Sequence, residues 1–353
     1  MSSQSFDDVV RNAMAAAIPL TAHVMVTERC DLNCRHCYLP AHRRKDSLTL
    51  TEFDDILGQL REAGTLFITL SGGECLVHPD FFPMARLVRD HVLALRIYSN
   101  GNGIDGETAR RLARLHPMEI DISLYGADAA SHDAISGVKG SFDRATGAIR
   151  DLVGRGVRVQ VKAPLMRANF AQCEGLWDLA ESLGASFHAS PYLYPPQGDQ
   201  TRCEAMTCSG VELESVFAVL ETGKPDEAAP PPSEAKGLCG AGINYVAIGP
   251  DASVYPCPMF GEAVGNLRES RFADIWKNAR LLADLRTLSR GDLAKCRDCA
   301  DYTLCNRCLA AVHTATGTLN GPDEQACRIA RIRSTGRERD GATSALEVTR
   351  KLM

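Results

Sequence analysis

Between residues 21 and 191, short apolar runs alternate with longer amphipathic segments. The apolar runs predict buried strands over 22–27, 66–70, 94–98, 119–124, 157–162 and 185–190. In the segments between them, apolar residues recur every three or four positions, which predicts helices over 50–64, 81–91, 105–115, 141–155 and 171–183. This order indicates a parallel sheet with right-handed helical crossovers.

Two of the predicted strands are apolar on one face only. A strand that is covered on both faces is expected to be apolar throughout. In 157–162, however, three valines share one face, whereas Arg158, Gln160 and Lys162 share the other, and 119–124 repeats this pattern. We therefore expect a curved sheet whose apolar face packs on helices and whose polar face lines a central cavity.

The alternation of predicted strands and helices ends after Pro191. A loop is followed by a predicted short helix over 211–222 and by a segment, 224–236, that is rich in proline, alanine and glutamate, as in linkers. Cysteines dominate the region beyond it. We predict five segments: a lead-in (1–20), a main α/β domain (21–191), a connecting segment (192–236), a cysteine-rich domain (237–330) and a polar tail (331–353).

Composition narrows the functional class. The 353 residues are 45% hydrophobic with a net charge of −5, which argues against nucleic acid or an anionic membrane as the main partner. The acidic start lacks the apolar core of a signal peptide, and Ala13–Leu20 is too short to span a membrane. We expect a cytoplasmic protein. Fourteen cysteines without a secretion signal indicate metal or redox chemistry and not a disulfide scaffold.

Three cysteines lie within eight residues directly after the first predicted strand. Cys30, Cys34 and Cys37 are separated by three and by two residues. A tight loop with this spacing can direct three thiolates at one iron–sulfur cluster. Because such clusters are normally held by four cysteines, one iron would remain open. The alternative, buried or disulfide-bonded cysteines, is disfavoured because disulfides so close in sequence are strained and a cytosol keeps thiols reduced.

With Tyr38 directly after Cys37, this loop resembles the Cys-x3-Cys-x2-Cys-aromatic motif of the radical S-adenosylmethionine (radical SAM) enzymes. The resemblance implies that a [4Fe–4S] cluster binds SAM through its open iron and cleaves it reductively to a 5′-deoxyadenosyl radical, which abstracts hydrogen from a substrate. It also implies a partial (β/α)6 barrel, a TIM-like α/β fold, which agrees with the six predicted strands.

Ser71-Gly72-Gly73-Glu74 follows the second predicted strand. Glycine allows close approach of a ligand to the backbone, and a carboxylate can pair with an ammonium group. By resemblance, Gly72, Gly73 and Glu74 bind the SAM amino group. The resemblance also implies SAM contacts from Tyr38, Ser99, Asn100, Ser123 and Lys162. Cys75 stands where the family usually has proline. Its role is either that of a small neutral residue or that of a thiol that faces the substrate.

Seven further cysteines lie near the C-terminus: Cys239, Cys257, Cys296, Cys299, Cys305, Cys308 and Cys327. Paired Cys-x2-Cys motifs often bind zinc. Zinc ribbons, however, usually separate the pairs by 15–20 residues, whereas only five residues separate them here. Seven cysteines are better suited to two iron–sulfur clusters than to one tetrahedral zinc ion.

This region, over about 239–327, resembles the SPASM domain of radical SAM enzymes that mature peptides. The resemblance implies two auxiliary [4Fe–4S] clusters. The distal one would be held by Cys296, Cys299, Cys305 and Cys327, and the proximal one by Cys239, Cys257 and Cys308. The chain departs from the family at Asp251-Ala252, where Asp-Gly is usual, and in its last Cys-x2-Cys pair. Cys203 and Cys208 are candidates for a fourth proximal ligand, and Cys208 is favoured because it is nearer Cys239. The alternative is that both are free surface thiols and that the fourth position is open or has a non-cysteine ligand.

The segment Ile122–Phe142 is similar to maturases of ribosomally made peptides. We therefore expect an enzyme of oxidoreductase or lyase type that modifies a precursor peptide by hydrogen abstraction, giving a cross-link, a rearrangement or an excision. The alternatives are a radical SAM enzyme acting on a tetrapyrrole and an electron-transfer protein, which the SAM motifs disfavour. About twenty residues precede the first strand, too few for a leader-binding domain. We expect a separate leader-recognition protein and an external flavodoxin or ferredoxin as electron donor.

Overall fold

The computed structural model describes residues 5–39, 47–194, 200–221, 238–293 and 295–336. The predicted linker 224–236 and most of the predicted tail lie outside these residues. The barrel strands are β1 Thr21–Met25, β2 Phe67–Ser71, β3 Ala94–Ser99, β4 Glu119–Ser123, β5 Val159–Pro164 and β6 Ser186–Ser190. All five neighbouring pairs are parallel, in the order in which they follow along the chain. The predicted partial barrel is confirmed.

The predicted helices are also present, together with helices that the sequence pattern did not indicate. The first group is α2 Leu50–Glu62, α3 Phe81–Asp90, α4 Gly106–Ala113, α6 Ser141–Val153, α7 Cys173–Ser182 and α9 Gly210–Leu220. The second group is α5 Ala129–Ser136 and α8 Gln200–Met206. The lead-in, for which the sequence allowed either a helix or a loose segment, contains helix α1 Phe6–Ala15. Helix α5 is short and rich in small residues, so it has no clear apolar stripe. Its start is marked by Asp128, whose carboxylate accepts a hydrogen bond from Ser131 N.

The barrel sheet continues into the C-terminal region. Strand β7, Tyr245–Ile248, pairs in parallel with β1, and β8 Ser253–Tyr255 and β9 Gly265–Asn266 extend the sheet in antiparallel fashion to nine strands. The β7–β8 turn places Ala252 at φ 65°, a left-handed conformation that costs a non-glycine residue about 1–2 kcal/mol. This is the position at which the sequence departs from the usual glycine.

The remaining helices pack the C-terminal region onto the barrel. They are α10 Phe272–Asn278, α11 Arg280–Thr287, α12 Leu309–Thr316 and α13, which covers 324–336. Phe272 is fully buried, and its backbone N–H donates to Gln59 Oε1 of α2 at 2.7 Å. The indole N–H of Trp276 donates to the carbonyl of Ala17 at 2.7 Å. The two parts of the chain thus share a core and a sheet.

The polar strand faces line the barrel interior, as predicted. Arg96 on β3 donates two hydrogen bonds to the Asp121 carboxylate on β4, at 2.6 and 2.9 Å, and Lys162 Nζ lies 3.8 Å from the same carboxylate. His23 on β1 contacts the Tyr245 hydroxyl of β7 at 3.1 Å, and burial lowers its pKa to about 4, so the ring is neutral. These contacts cross-link strands from both parts of the chain.

Within the described ranges, no helix is both long and apolar enough to cross a membrane.

Phe272 provides a test of the shared core. Replacement of this buried ring by alanine should lower the free energy of unfolding by about 3–5 kcal/mol, since it leaves a cavity between α2 and α10. Phe6→Ala, at a ring that is 60% exposed, should cost less than about 1 kcal/mol. Urea unfolding followed by circular dichroism, at matched iron content, compares the two. Equal losses would contradict the shared core.

Candidate functional site

The loop with Cys30, Cys34 and Cys37 follows β1 at the carboxyl edge of the parallel sheet, where ligand sites of such folds are expected. Its backbone is held by α5, because Asn33 N donates to Ser136 O at 2.9 Å and Arg35 N donates to Ile135 O at 3.0 Å. None of the fourteen cysteines forms a disulfide bond. The helix that the sequence pattern missed is therefore one of the supports of the loop.

Two of the three sulfur atoms in this loop have hydrogen-bond donors beside them. Leu32 N lies 3.4 Å and Asn100 Nδ2 3.7 Å from Cys30 Sγ. The Cys34 thiol donates to the Tyr125 hydroxyl at 3.6 Å, and this hydroxyl becomes the donor when Cys34 is deprotonated as a metal ligand. Donors that approach sulfur stabilise the negative charge of a metal-bound thiolate. The residues present therefore fit an iron–sulfur cluster at this loop.

Gly72 and Gly73 bring the end of β2 into direct backbone contact with the start of this loop. Gly73 N donates to Thr27 O and Glu74 N to Arg29 O, both at 2.8 Å. A Cβ atom would lie 2.3 Å from Thr27 O at position 72, and 2.4 Å from Arg29 O at position 73. No other residue fits here without moving the backbone that leads to Cys30.

Glu74 ties the same loop to the end of β3. Its buried carboxylate accepts hydrogen bonds from Ser99 Oγ at 2.9 Å and from Asn100 N at 2.7 Å. Asn100 Nδ2 in turn donates to Asp31 Oδ1 at 2.7 Å. Burial raises the pKa of Glu74 to about 7. Predicted site residues from three separate segments are thus brought into one hydrogen-bonded group.

Cys75 is packed below this group. It is fully buried, and its thiol donates to the carbonyl of Tyr98 at 3.3 Å. Burial raises its pKa well above the ordinary value, so the thiol is neutral. These contacts favour the small neutral residue over the substrate-facing thiol.

Tyr125, which sequence reasoning did not select, is held rigidly beside Cys34. Its ring stacks on His132 at 5.1 Å, and His36 contacts it edge-on at 4.7 Å. Its backbone N–H donates to His132 Nδ1, and its carbonyl accepts from Asn169 Nδ2. Burial raises the pKa of Tyr125 well above its usual value, so its hydroxyl keeps the proton that it can donate to sulfur. The only signal in the sequence is its place directly after a strand end.

The other predicted SAM contacts, Ser123, Lys162 and Tyr38, lie in different parts of the structure. Ser123 is at the end of β4 and is the register partner of Lys162 on β5. The Lys162 ammonium lies 5.3 Å from the Tyr98 ring, and burial lowers its pKa. Tyr38, by contrast, lines a small apolar cavity with Tyr194 and Met259 of the C-terminal half. Burial, with the nearby thiols Cys37 and Cys257, raises the pKa of Tyr38, which places this ring between the two cysteine-bearing regions.

The seven C-terminal cysteines lie near one another in the C-terminal region, in two sets. Cys239, Cys257 and Cys308 pack in one cluster of side chains, and burial followed by the other two thiols raises the pKa of Cys257 to about 12. Burial and the thiols of Cys327, Cys296 and Cys299 raise the pKa of Cys305 to about 12. In the described part of the chain, no three His, Cys, Asp or Glu side chains converge on one point that would hold a single metal ion.

Asp323 lies between these two groups. One carboxylate oxygen accepts from Cys308 N at 2.9 Å and from the Tyr192 hydroxyl at 2.7 Å. The other accepts from Ala326 N at the start of α13, the helix that carries Cys327. The backbone carbonyl of Asp323 also accepts from Cys327 N at 2.8 Å, so Asp323 fixes one cysteine of each group. The sequence pattern gave no indication of this role.

Cys203 and Cys208 do not lie with the proximal group. Cys203 packs with Tyr125, Met166 and Leu193, and Cys208 packs with Leu213 and Ile329. The preference for Cys208 as a proximal ligand receives no support from this arrangement. Tyr194 is closer, since burial together with the thiols Cys308, Cys257 and Cys239 raises its pKa.

Comparison with known families assigns both regions. The profile of the radical SAM superfamily matches residues 24–171, and that of the SPASM iron–sulfur cluster-binding domain matches residues 239–308. The first range contains the three-cysteine loop and the Gly-Gly-Glu segment. The second contains six of the seven C-terminal cysteines, with Cys327 beyond its end.

Similar proteins extend over both regions. The mycofactocin maturase MftC of Mycobacterium tuberculosis is 29% identical over 323 residues, which cover 85% of this chain and 81% of that protein. The AdoMet-dependent heme synthase of Oleidesulfovibrio alaskensis is 25% identical over 325 residues and 83% of each chain. The crystal structure of Streptococcus suis SuiB bound to S-adenosylmethionine shares the fold, with a TM-score of 0.72, 17% identity and coverage of 92% of this chain and 84% of SuiB.

Gly73→Ala should abolish SAM binding, because its new methyl group would displace the backbone at Arg29. Gly103→Ala is the matched control, since a Cβ there would meet no atom within 4 Å. Equilibrium dialysis with labelled SAM on anaerobically reconstituted protein measures both variants. Wild-type affinity in Gly73→Ala would contradict the close packing of the two loops.

Tyr125→Phe should make the reduction potential of the cluster at Cys30, Cys34 and Cys37 more negative, by tens of millivolts, because a hydrogen bond to a ligand sulfur favours the reduced cluster. A redox titration monitored by electron paramagnetic resonance measures this shift. Tyr255→Phe on β8 serves as the control. An unchanged potential in Tyr125→Phe would show that the hydroxyl does not act on Cys34.

Proposed function

The chain belongs to the radical SAM proteins that carry a SPASM domain, and we propose that it modifies a ribosomally synthesised precursor peptide. The observation that carries this proposal is the three-cysteine loop, packed against Gly72 and Gly73 and facing a second cysteine-rich region through Tyr38. The similarity to a maturase at 29% identity, which spans both regions, supports the choice of substrate class.

In this proposal, Cys30, Cys34 and Cys37 hold a [4Fe–4S] cluster whose open iron binds SAM. When bound, this pair supplies the 5′-deoxyadenosyl radical that removes hydrogen from the peptide. Gly72, Gly73 and Glu74 position the amino group of SAM. Tyr38, Ser99, Asn100, Ser123 and Lys162 complete the SAM contacts. The hydrogen bonds of Glu74 to the end of β3 support this assignment, because they place Ser99 and Asn100 at the cysteine loop.

We also propose two auxiliary [4Fe–4S] clusters. The grouping of Cys296, Cys299, Cys305 and Cys327 supports a distal cluster with four thiolates. Cys239, Cys257 and Cys308 supply three thiolates to a proximal one. Tyr194, whose pKa these three thiols help to raise, is our candidate for the remaining position.

Two partners complete the proposal. A separate protein captures the leader segment of the precursor, and an external flavodoxin or ferredoxin supplies the electron that SAM cleavage requires. Calorimetric titration of the isolated chain with the leader segment tests the first partner, and tight binding would contradict it.

A tetrapyrrole substrate is the second candidate, because the AdoMet-dependent heme synthase of O. alaskensis is 25% identical over both regions. The two candidates differ in what SAM cleavage depends on. A peptide enzyme should convert SAM faster when its precursor is present, whereas a tetrapyrrole enzyme should respond to porphyrin precursors and not to peptides.

The proposed function is tested by anaerobic incubation of the reconstituted protein with candidate precursor peptides, SAM and a reductant. We expect 5′-deoxyadenosine together with a changed peptide mass, both detected by mass spectrometry. SAM cleavage that modifies only a tetrapyrrole would contradict the peptide proposal.

Replacement of Cys30, Cys34 and Cys37 by alanine together should abolish 5′-deoxyadenosine formation, because no ligand would remain for the SAM-binding cluster. Three clusters contain about twelve irons per chain, and this variant should keep about eight. Iron and zinc analysis measures both proteins. Stoichiometric zinc with only about four irons in the wild type would contradict the two auxiliary clusters.

A further inference from the structure

A cavity of about 800 Å³ opens at the carboxyl edge of the barrel sheet, and we call it the edge cavity. Its walls come from the segment after β6, with Tyr192 and Leu193, from α8 with Cys203, from α12 with Ala315, and from the start of α13 with Asp323. The assigned SAM-site residues do not line it. Its volume lies in the range of about 300–1,000 Å³ that is typical of ligand sites.

Part of the lining of the edge cavity leads to the loop that carries Cys30, Cys34 and Cys37. Leu193 and Cys203 belong to a cluster of side chains that also contains Tyr125, and Cys34 packs against this cluster. The Tyr125 hydroxyl contacts Cys34 Sγ. One layer of side chains therefore separates the cavity from the loop.

Another part of the lining leads to the proximal thiols. The Tyr192 hydroxyl donates to Asp323, and Asp323 accepts the backbone N–H of Cys308. Ala311 N, on the cavity side of α12, lies 3.5 Å from Cys308 Sγ. The edge cavity is thus flanked by the two proposed cluster sites.

From this placement we propose that the edge cavity holds the core segment of the precursor peptide, the part that is modified. This inference rests on the proposed function and deepens it. Thr207 and Thr316 line the cavity, and their hydroxyls donate to Cys203 O and Val312 O, so their remaining lone pairs can accept N–H groups of an extended peptide backbone. Small side chains on α12 leave room for a side chain of the substrate.

The described lining of the cavity also carries a net negative charge. Among the described residues, Glu204, Asp323 and Glu324 line it, together with one cation, Arg328. A core segment with a positively charged residue is therefore favoured over a negatively charged one. A tetrapyrrole with several carboxylates would be repelled by this lining.

The test is to fill the cavity. In the reconstituted enzyme, Ala315→Trp should raise the KM for the precursor peptide at least about tenfold, with the iron content and cluster spectra of the wild type. Ala283→Trp on α11 is the matched control, because Ala283 is likewise exposed on a helix but does not line the cavity. This control should keep the wild-type KM.

Hydrogen–deuterium exchange of the wild-type holoenzyme supplies a measurement that does not depend on a variant. Added precursor peptide should slow exchange in α12 and at the start of α13. A wild-type KM in Ala315→Trp, or protection confined to other helices, would overturn the inference while leaving the proposed function intact. A wild-type enzyme that modifies no peptide would overturn both.

Discussion

The close contact between the end of β2 and the start of the cysteine loop is the constraint on which the site depends. At Gly72 and Gly73 the two backbones approach so closely that a single methyl group would separate them. The contact fixes Thr27 to Arg29, and therefore the direction in which the loop leaves β1. Glu74 then extends it to β3 through Ser99 and Asn100. Three strand ends are thus locked into one surface, the one that we propose for the cluster and SAM.

A second constraint joins the two parts of the chain. Strand β7 adds to the open side of β1, the strand that leads into the cysteine loop. Tyr38, directly after that loop, lines a small cavity together with Met259 of the C-terminal region. The SPASM domain is therefore a continuation of the barrel sheet, which holds the C-terminal cysteines at a set position relative to the three-cysteine loop.

The sequence predicted the parts of the fold that repeat a pattern. The six barrel strands and their helices have strong periodicity, and all were confirmed. The apolar Val159 and Val161 face the helices, whereas Gln160 and Lys162 are partly exposed towards the interior. Helix α5 was missed because its small residues form no stripe, and the pairing of β7 with β1 was missed because some 220 residues separate the strands.

Within the site, local motifs identified cysteines and glycines, but not the residues that act across long distances in the chain. Tyr125 reaches Cys34 only because His132 and Asn169 fix its ring and backbone. The Asp323 carboxylate accepts a hydrogen bond from the backbone N–H of Cys308, at the start of α12. Neither residue has a motif, and the grouping of Cys203 with Tyr125 instead of with the proximal thiols is likewise a result of packing.

The most direct test of the central claim is to follow the hydrogen atom. The wild-type enzyme, SAM and reductant are incubated anaerobically with a precursor peptide whose core residues carry deuterium at carbon. If the chain abstracts hydrogen from the peptide, the 5′-deoxyadenosine should gain one mass unit in step with the change in the peptide. Modified peptide accompanied only by unlabelled 5′-deoxyadenosine, for every deuterated core residue, would contradict the account.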